Sequence, residues 1–437
     1  MKKKEKKKYN LQEKQARRKY HQPNRIIYFL YWFIMTKIVA LKYRPKFIVE
    51  DDINECKGPC FLIWNHLSRL DHLYVMGCAY PRRLNIMASY IEFFRSHLHT
   101  VFKLNQIIPK KNYASDIAGM KAMNSIIAQG GVVCFAPEGM SSIFGSNQPI
   151  IVGTGHMLKH YRIPVYYVEM RGQYLTTTKC NLEERGGYTQ ATMKLLYTPE
   201  QLDALTDTEV DDQINALFRH DDYAWNKEKR IRYNNHGHGA EHLEEICFRC
   251  PRCGRDLTLK GVGMKLSCSA CGNGCETNDY YDYIPFDESC VIPESPVKWM
   301  EWEREQIARE IRADGSYSYS VACTLGDIPK DHWIPDKKTA ELCGEGTFTV
   351  DHAGIHYTGT RRGEPFSMDM DYNSVFSLII ETDTTNCGIF YKGEYLEFTP
   401  AEPAVGKMLI LTEEMHRLHV NSWKNFPWYD YMYEEKA

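Results

Sequence analysis

Two residues five positions apart, His66 and Asp71, form the pair in this sequence best suited to chemistry. A histidine side chain, with an unperturbed pKa of about 6.5, can take the proton of a hydroxyl group at neutral pH. A neighbouring carboxylate can fix the tautomer of the imidazole and stabilise the imidazolium that forms. The pair therefore indicates general-base activation of an alcohol.

The spacing of the two residues constrains the backbone that carries them. Side chains five positions apart on a continuous helix point about 140° away from each other, so they cannot meet across a regular helix. We expect His66 in a turn after a strand that ends near Trp64, and a helix that begins at about Ser68 and carries Asp71 in its first turn. The alternative is a capping box, in which the Asp71 carboxylate only bonds back to the amide of Ser68.

The segment 46–232 alternates short apolar runs with segments of helical length. Strand-like runs occupy residues 60–64, 132–136 and 163–168. This alternation predicts an α/β domain with a mostly parallel sheet. In open α/β sheets ligands bind beyond the carboxyl ends of the strands, which is where His66 is expected.

Four short motifs follow one another in this domain: Asn-His-Leu-Ser-Arg-Leu-Asp at 65–71, Ile-Ile-Pro-Lys-Lys at 107–111, Pro-Glu-Gly-Met-Ser-Ser at 137–142 and Ile-Pro-Val-Tyr-Tyr-Val at 163–168. In this order they resemble the four motifs of the glycerolipid acyltransferase family, which includes lysophosphatidate acyltransferase. Four motifs in order are far more specific than one.

The resemblance implies that His66 is the general base, that Asp71 orients it, and that a fatty acyl thioester of coenzyme A or acyl carrier protein is the donor. The implied acceptor is the free hydroxyl of a lysophospholipid, most simply 1-acylglycerol 3-phosphate, which would give phosphatidate. The implied reaction needs no catalytic cofactor. The alternative functions are a non-enzymatic lipid-binding scaffold and an acyltransferase with a different acceptor.

The third motif departs from the family, which usually has an arginine just after Glu-Gly to bind the acceptor's phosphate. This chain has Met140, Ser141 and Ser142 there, so a bidentate phosphate clamp is missing. We expect Lys110 and Lys111 to supply point charges instead; the alternative is a solvated surface pair. The residues expected to bind substrate are Asn65, Ser68, Arg69, Lys110, Lys111, Glu138, Gly139, Ser141 and Ser142.

The N-terminal segment combines a basic tail, residues 1–24, with an apolar run at 26–35 that resumes at 38–41. Spanning a bilayer takes about 20 apolar residues, and the uninterrupted run is shorter. Its tyrosines and tryptophan favour the headgroup zone, and the preceding lysines favour anionic lipid. We expect residues 25–45 to form an interfacial helix on a cytoplasmic, peripherally membrane-associated protein. A buried core helix is the alternative.

Two Cys-x-x-Cys pairs lie within the segment 244–285, which follows a Gly- and His-containing linker at 233–243. Two such pairs, each followed by glycine, can bind one structural zinc ion in a zinc ribbon. A redox pair and a disulfide pair are the alternatives. The predicted ligands are Cys250, Cys253, Cys268 and Cys271, with Cys247 and Cys275 as possible substitutes.

The remaining sequence predicts a helical connector, 286–345, with a helix at 295–313, and a β-rich domain, 346–437. Strand-like runs at 348–350, 355–357, 375–380, 388–391 and 395–398 precede an amphipathic helix from 404 to about 419. Strands closed by one helix resemble the pleckstrin-homology-like barrel. The domain is expected either to bind lipid or to serve as a structural or interaction module.

The composition sets outer limits on these interpretations. The 437 residues are 43% hydrophobic and 25% charged, with a formal net charge of −2. These values fit about three folded domains and exclude a disordered chain or a protein with many membrane spans. Nucleic acid is not an expected partner, because the cysteine segment has few aromatic residues and the basic tail adjoins an apolar helix.

Overall fold

The computed structural model describes residues 10–335 and 338–422. The first nine residues of the predicted basic tail and residues 423–437 of the predicted C-terminal domain lie outside this part of the chain. Three β-sheets, of seven, four and six strands, organise the described residues. They correspond to the three predicted units: an α/β domain, a small cysteine-containing unit and a β-rich C-terminal unit.

The seven-stranded sheet confirms the predicted α/β domain. Its strands are β1 (Pro45–Val49), β2 (Cys60–Trp64), β3 (Leu84–Ser89), β4 (Ile108–Lys110), β5 (Val132–Phe135), β6 (Val165–Arg171) and β7 (Thr189–Tyr197). They lie in the order β1-β7-β6-β2-β5-β3-β4, and every adjacent pair is parallel except β6 with β7. The central strands β2 and β5 are fully buried, as expected where helices cover both faces of a parallel sheet.

The helices of this domain are α1 (Leu11–Ala16), α2 (Arg25–Phe33), α3 (Asp71–Ala79), α4 (Ser96–Leu104), α5 (Ile117–Ala128), α6 (Thr154–Tyr161), α7 (Gln173–Thr176), α8 (Pro199–Ala204), α9 (Asp207–Phe218) and α10 (Asp222–Lys229). Local capping chemistry fixes several of their starts. Helices α8 and α9 each begin with a capping box, in which a threonine hydroxyl accepts a bond from the amide three residues on, and the threonine amide donates to the side chain of that residue.

The N-terminal helix continues beyond α2 through a π-helical segment, Ile34–Ile38, and a 3-10 segment, Val39–Tyr43. One face packs on the domain: Tyr31 stacks on His72, and Trp32 stacks on Tyr80 with ring centroids 3.8 Å apart. The other face exposes an apolar stripe formed by Ile26, Phe29, Leu30, Phe33, Ile34, Ile38 and Leu41. Residues 25–43 are long and apolar enough to cross a membrane by length and composition.

The four-stranded antiparallel sheet comprises β8 (Leu259–Val262), β9 (Lys265–Cys268), β10 (Gly274–Thr277) and β11 (Tyr283–Pro285). The preceding segment, 233–243, does not stand free as a linker. Tyr233 and Asn235 are fully buried, and their backbone and side-chain N–H groups bond to the carbonyls of Asp279 at 2.8 Å and Asn278 at 2.9 Å. The α/β domain and the cysteine unit are therefore packed together.

The C-terminal sheet is an open, curled half-barrel of six antiparallel strands in the order β15-β14-β13-β12-β17-β16. The strands are β12 (Ser318–Asp327), β13 (Glu341–Asp351), β14 (Gly354–Arg361), β15 (Glu364–Met370), β16 (Cys387–Tyr391) and β17 (Glu394–Pro400). The sheet starts inside the segment predicted as a helical connector. The apolar run 375–380 is not a strand; only Ile379 forms an isolated bridge, to Gly388.

Two helices, α11 (Pro296–Ala313) and α12 (Val405–His419), pack against each other beside this sheet. The predicted closing helix is present, but it is buried on almost every side rather than amphipathic. A buried ion pair joins the helices, because Arg304 donates to Glu413 at 2.6 Å and to Glu414 at 2.9 Å. Burial of the charged residues in α12 is compatible with folding because they are paired.

Candidate active site

The predicted His66 and Asp71 pair is assembled at the carboxyl end of β2. The Nδ1 atom of His66 lies 2.7 Å from Oδ2 of Asp71, and 24% of the histidine side chain is exposed while Asp71 is buried. The carboxylate therefore binds the Nδ1–H tautomer, which leaves the lone pair of Nε2 available. No described residue bonds to Nε2. The geometry suits a histidine that accepts a proton from a bound hydroxyl.

The turn between β2 and α3 is held by the same carboxylate. Asp71 accepts hydrogen bonds from the backbone amides of Leu67 at 2.8 Å and Ser68 at 3.0 Å, and the Ser68 hydroxyl accepts one from the amide of Leu70. Helix α3 begins at Asp71 rather than at the predicted Ser68, because residues 65–70 form the turn. Asp71 thus makes the contacts of both interpretations, since its carboxylate bonds to the amides of the turn and to the imidazole.

The third motif supports the backbone on which His66 stands. Glu138 is fully buried, and its carboxylate accepts bonds from the amides of His66 at 2.6 Å and Gln148 at 2.8 Å. Burial raises the pKa of Glu138 to about 8. The amide of Ser142 donates to the carbonyl of His66 at 2.7 Å. The loop after β5 therefore fixes the loop after β2 from both sides.

Glycine is required at the centre of the third motif. Gly139 has a φ of +83°, and a Cβ at this position would lie 2.9 Å from Cδ1 of Ile151. Any other residue would strain the backbone and crowd that side chain. The conformation turns the chain sharply after Glu138, so that Ser141 and Ser142 can approach the loop that carries His66.

Two of the predicted substrate-binding residues make other contacts. Asn65 is 1% exposed, and its side-chain amide bonds to the backbone N–H and C=O of Met170 on the neighbouring strand β6. It holds the two strands together and has no surface for a substrate. Arg69 is half-exposed and bonds to the carbonyl of Leu182 at 3.3 Å and to Glu184 at 3.2 Å.

The two lysines of the second motif lie in different surroundings, and they are not a solvated surface pair. Lys111 donates to the carbonyl of Gly393 at 3.1 Å and lies against the ring of Phe390. Its ammonium group is therefore already bonded to the C-terminal unit. Lys110 is half-buried beside Phe135 at the end of β5, with Nζ 5.5 Å from the ring centroid. Burial lowers the pKa of the Lys110 ammonium to about 8.

A third lysine in this region, Lys179, lies outside the four sequence motifs and was not predicted. Lys179 lies in the segment after α7, is 6% exposed, and donates a hydrogen bond to the hydroxyl of Ser141 at 2.8 Å and another to the carbonyl of Glu381. Burial lowers the pKa of its ammonium to about 8. Ser141 belongs to the motif in which the family arginine is missing, so Lys179 brings a positive charge to that place from 38 positions along the chain.

A segment of the C-terminal unit, residues 376–382, forms one wall of this region. The Glu381 carboxylate accepts a bond from the hydroxyl of Ser89 at 2.7 Å, and Thr382 accepts one from Arg95 at 3.0 Å. Phe376 packs edge-on against Tyr113, whose hydroxyl donates to the carbonyl of Glu138 at 3.2 Å. The C-terminal unit therefore contacts the second- and third-motif region directly.

The four predicted zinc ligands come together in the cysteine unit. Their sulfur atoms all lie within 4.8 Å of one another, with Cys250 and Cys271 at 3.7 Å and Cys253 and Cys268 at 3.8 Å. A tetrahedron of thiolates at the usual Zn–S distance of about 2.3 Å has edges of about 3.8 Å. A disulfide would bring two sulfurs to about 2.05 Å, and all four cysteines are free thiols. Cys247 and Cys275 lie outside this cluster.

Comparison with known proteins identifies the domain that carries His66. The family model described as Acyltransferase matches residues 41–171. Among solved structures, the 1-acyl-sn-glycerophosphate (LPA) acyltransferase PlsC from Thermotoga maritima aligns with a TM-score of 0.36 and 14% sequence identity, over 43% of this chain and 76% of that chain. Comparison with curated protein sequences gives no match. The family match includes both the His66 motif and the Glu138 motif, so residues 41–171 resemble an acyltransferase domain.

Proposed function

We propose that this protein transfers a fatty acyl group from a thioester to the free hydroxyl of a lysophospholipid. The observation that carries the proposal is the bond between His66 Nδ1 and Asp71, with an accessible Nε2, inside an acyltransferase domain. The donor is an acyl thioester of coenzyme A or acyl carrier protein. The reaction uses no cofactor, because the imidazole supplies the proton transfers.

The proposed reaction begins when Nε2 of His66 accepts the proton of the acceptor hydroxyl. The oxygen attacks the thioester carbonyl carbon, and a C–O bond forms as the carbonyl π electrons move to oxygen. Collapse of this tetrahedral intermediate breaks the C–S bond, and the imidazolium returns the proton to the departing thiolate. Asp71 remains ionised and stabilises the imidazolium while it exists. The products are a diacyl phospholipid and a free thiol.

We propose 1-acylglycerol 3-phosphate as the acceptor, with phosphatidate as the product. Lys110 and Lys179 are the cations proposed to bind its phosphate, in place of the missing arginine. An ammonium group has three N–H donors, and two of those on Lys179 bond to Ser141 and Glu381. The third can donate to a phosphate oxygen. An anionic ligand would also favour the charged form of both buried lysines.

Replacing Lys179 with methionine should weaken use of a phosphate-bearing acceptor selectively. A hydrogen bond to a charged group contributes about 1.5–3 kcal/mol, so KM for lysophosphatidate should rise by roughly 10- to 150-fold. The value of kcat/KM for lysophosphatidylcholine should change little, and Lys179→Arg should recover part of the loss. Steady-state kinetics with both acceptors measures this selectivity. Equal losses with both acceptors would show that Lys179 only supports the fold.

The N-terminal helix is proposed to lie in the membrane interface, on the cytoplasmic side. Its apolar stripe is exposed while the opposite face packs on α3, as the Tyr31–His72 and Trp32–Tyr80 stacks indicate. A helix with one face bound to its own domain is suited to lying along a membrane surface. The basic tail before it would add attraction to anionic lipid.

We also propose that Cys250, Cys253, Cys268 and Cys271 bind one structural Zn²⁺. Four protein ligands would leave no open coordination position, so the ion would stabilise the fold without taking part in acyl transfer. Metal analysis of the purified protein should give one zinc per chain. Cys253→Ser should lose the zinc and lower the melting temperature, whereas Cys290→Ser, a few residues after β11, should keep the zinc and the wild-type melting temperature. Full zinc retention in Cys253→Ser would contradict the assignment.

A further inference from the structure

A polar cavity lies at the end of the seven-stranded sheet opposite to the end that carries His66. It has a volume of about 390 Å³ and is lined by Arg25, Arg82, Arg83 and the loop at 130–131, among other residues. Arg82 and Arg83 directly precede β3, and the loop at 130–131 directly precedes β5. The cavity therefore lies at the amino ends of these parallel strands. His66 follows the carboxyl end of β2, which runs parallel to β5. The cavity is therefore separate from the proposed reaction site.

The cavity concentrates positive charge that no carboxylate within residues 10–335 and 338–422 pairs with. Arg83 donates to the carbonyl of Pro23 at 2.7 Å and to the side-chain oxygen of Gln22 at 2.9 Å. Arg82 donates to the carbonyls of Gly58 and Gly130. All of these acceptors are uncharged, and none of the three arginines forms an ion pair within the described part of the chain.

The arrangement of the guanidinium groups favours an anionic ligand. Uncharged acceptors hold Arg82 and Arg83 in place without cancelling their charge, and Arg25 is exposed at the rim. Burial, together with repulsion from Arg25 and Arg82, lowers the pKa of Arg83. Guanidinium groups match the geometry of phosphate oxygens, and a bound phosphate would relieve this repulsion.

An apolar wall of the cavity leads directly onto the membrane-facing side of the N-terminal helix. Phe29 lines the cavity and also belongs to the apolar stripe. Its ring contacts Tyr80, a second lining residue, with centroids 6.4 Å apart. A phosphate held by the arginines would therefore have acyl chains beside Phe29 and along the stripe. A free phosphate would leave that apolar wall unused.

We propose that this arginine cavity binds the headgroup phosphate of an anionic diacyl phospholipid and thereby docks the protein on the membrane. The ligand is a phospholipid of the bilayer rather than the lysophospholipid acceptor. Arg82 and Arg83 hold the phosphate, Arg25 closes the rim, and Phe29 contacts the first part of an acyl chain. The proposal does not depend on acyl transfer, because no group of the His66 centre takes part.

Isothermal titration of the full-length protein with dihexanoyl phosphatidylglycerol, below its micelle concentration, tests this site. This lipid has no free hydroxyl on its diacylated glycerol, so it does not imitate the proposed acceptor. Arg25→Gln is the main variant, because Arg25 is exposed and its replacement is expected to leave the fold intact. We expect its Kd to rise about tenfold and Arg25→Lys to recover part of the affinity. Arg309→Gln, the same charge change at an exposed site on α11, should bind like wild type.

Three outcomes would overturn the assignment, and a fourth would support it. Unchanged affinity in Arg25→Gln would mean that the lipid binds elsewhere. Equal Arg25-dependent binding of glycerol 3-phosphate or inorganic phosphate would make this a site for free anions. Equal binding of dihexanoyl phosphatidylcholine would reduce the site to an apolar patch. Lipid binding that persists in His66→Ala, which should lack acyl transfer, would separate this site from the reaction centre.

Discussion

Replacing His66 with alanine is expected to lower kcat/KM for acyl transfer by about 10²- to 10⁴-fold, the usual contribution of a general base. Without the imidazole, the acceptor hydroxyl would have to attack with its proton still attached. The second imidazole function, returning a proton to the thiolate, would be lost at the same time. Release of free thiol and formation of labelled diacyl lipid, measured together, report both steps.

The His66→Ala variant should fold normally, so its loss of activity can be interpreted. The imidazole is partly exposed, and the bonds to Glu138 and Ser142 come from the backbone of residue 66 rather than its side chain. Circular dichroism and the melting temperature should therefore stay close to those of wild type. A folded variant with unchanged kcat/KM would contradict the proposed role of His66.

Asp71→Asn is the second substitution with a large expected effect, again a loss of about 10²- to 10⁴-fold in kcat. In serine-protease triads, changing the aspartate to asparagine costs about 10⁴-fold because the wrong imidazole tautomer forms. An asparagine NH₂ group facing His66 would donate to Nδ1, place the proton on Nε2 and remove the base. One asparagine oxygen also cannot accept every bond that Asp71 now receives from His66, Leu67 and Ser68.

The control for this substitution separates catalysis from support of the turn. Ser68→Ala removes the hydroxyl that accepts from the amide of Leu70 but leaves Asp71 against His66. We expect a modest loss of stability, about 1 kcal/mol, with kcat largely retained. If Asp71→Asn were also less stable but fully active, the carboxylate would serve only to cap the turn.

The features that sequence predicted well are local in the chain. The strand, turn and helix around His66 lie within one continuous segment, residues 60–79, and the buried strand β2 can be recognised from its apolar run alone. The cysteine cluster is also formed by residues close together in the chain. Two Cys-x-x-Cys turns of fixed shape need only one contact with each other to bring four sulfurs together.

The features that sequence reasoning missed depend on contacts between distant segments. Lys179 reaches Ser141 from another loop, and the wall formed by 376–382 comes from a different unit of the chain. The apolar run 375–380 has the composition of a strand, yet it packs as an irregular segment between α12 and the α/β domain because its hydrogen bonds go elsewhere. For example, the backbone carbonyl of Val375 accepts a hydrogen bond from Nδ1 of His416 on α12 at 3.2 Å. Strand β12 was missed because its location is fixed by pairing with β13 and β17.

The most direct test of the account is an acceptor panel with one radiolabelled acyl thioester and the purified full-length protein. The panel contains lysophosphatidate, lysophosphatidylcholine and monoacylglycerol, and His66→Ala is the matched control. We predict labelled diacyl phospholipid, formed fastest from lysophosphatidate, and no transfer above background in the variant. Transfer to none of these acceptors, from either a coenzyme A or an acyl carrier protein thioester, would contradict the account and favour a lipid-binding scaffold.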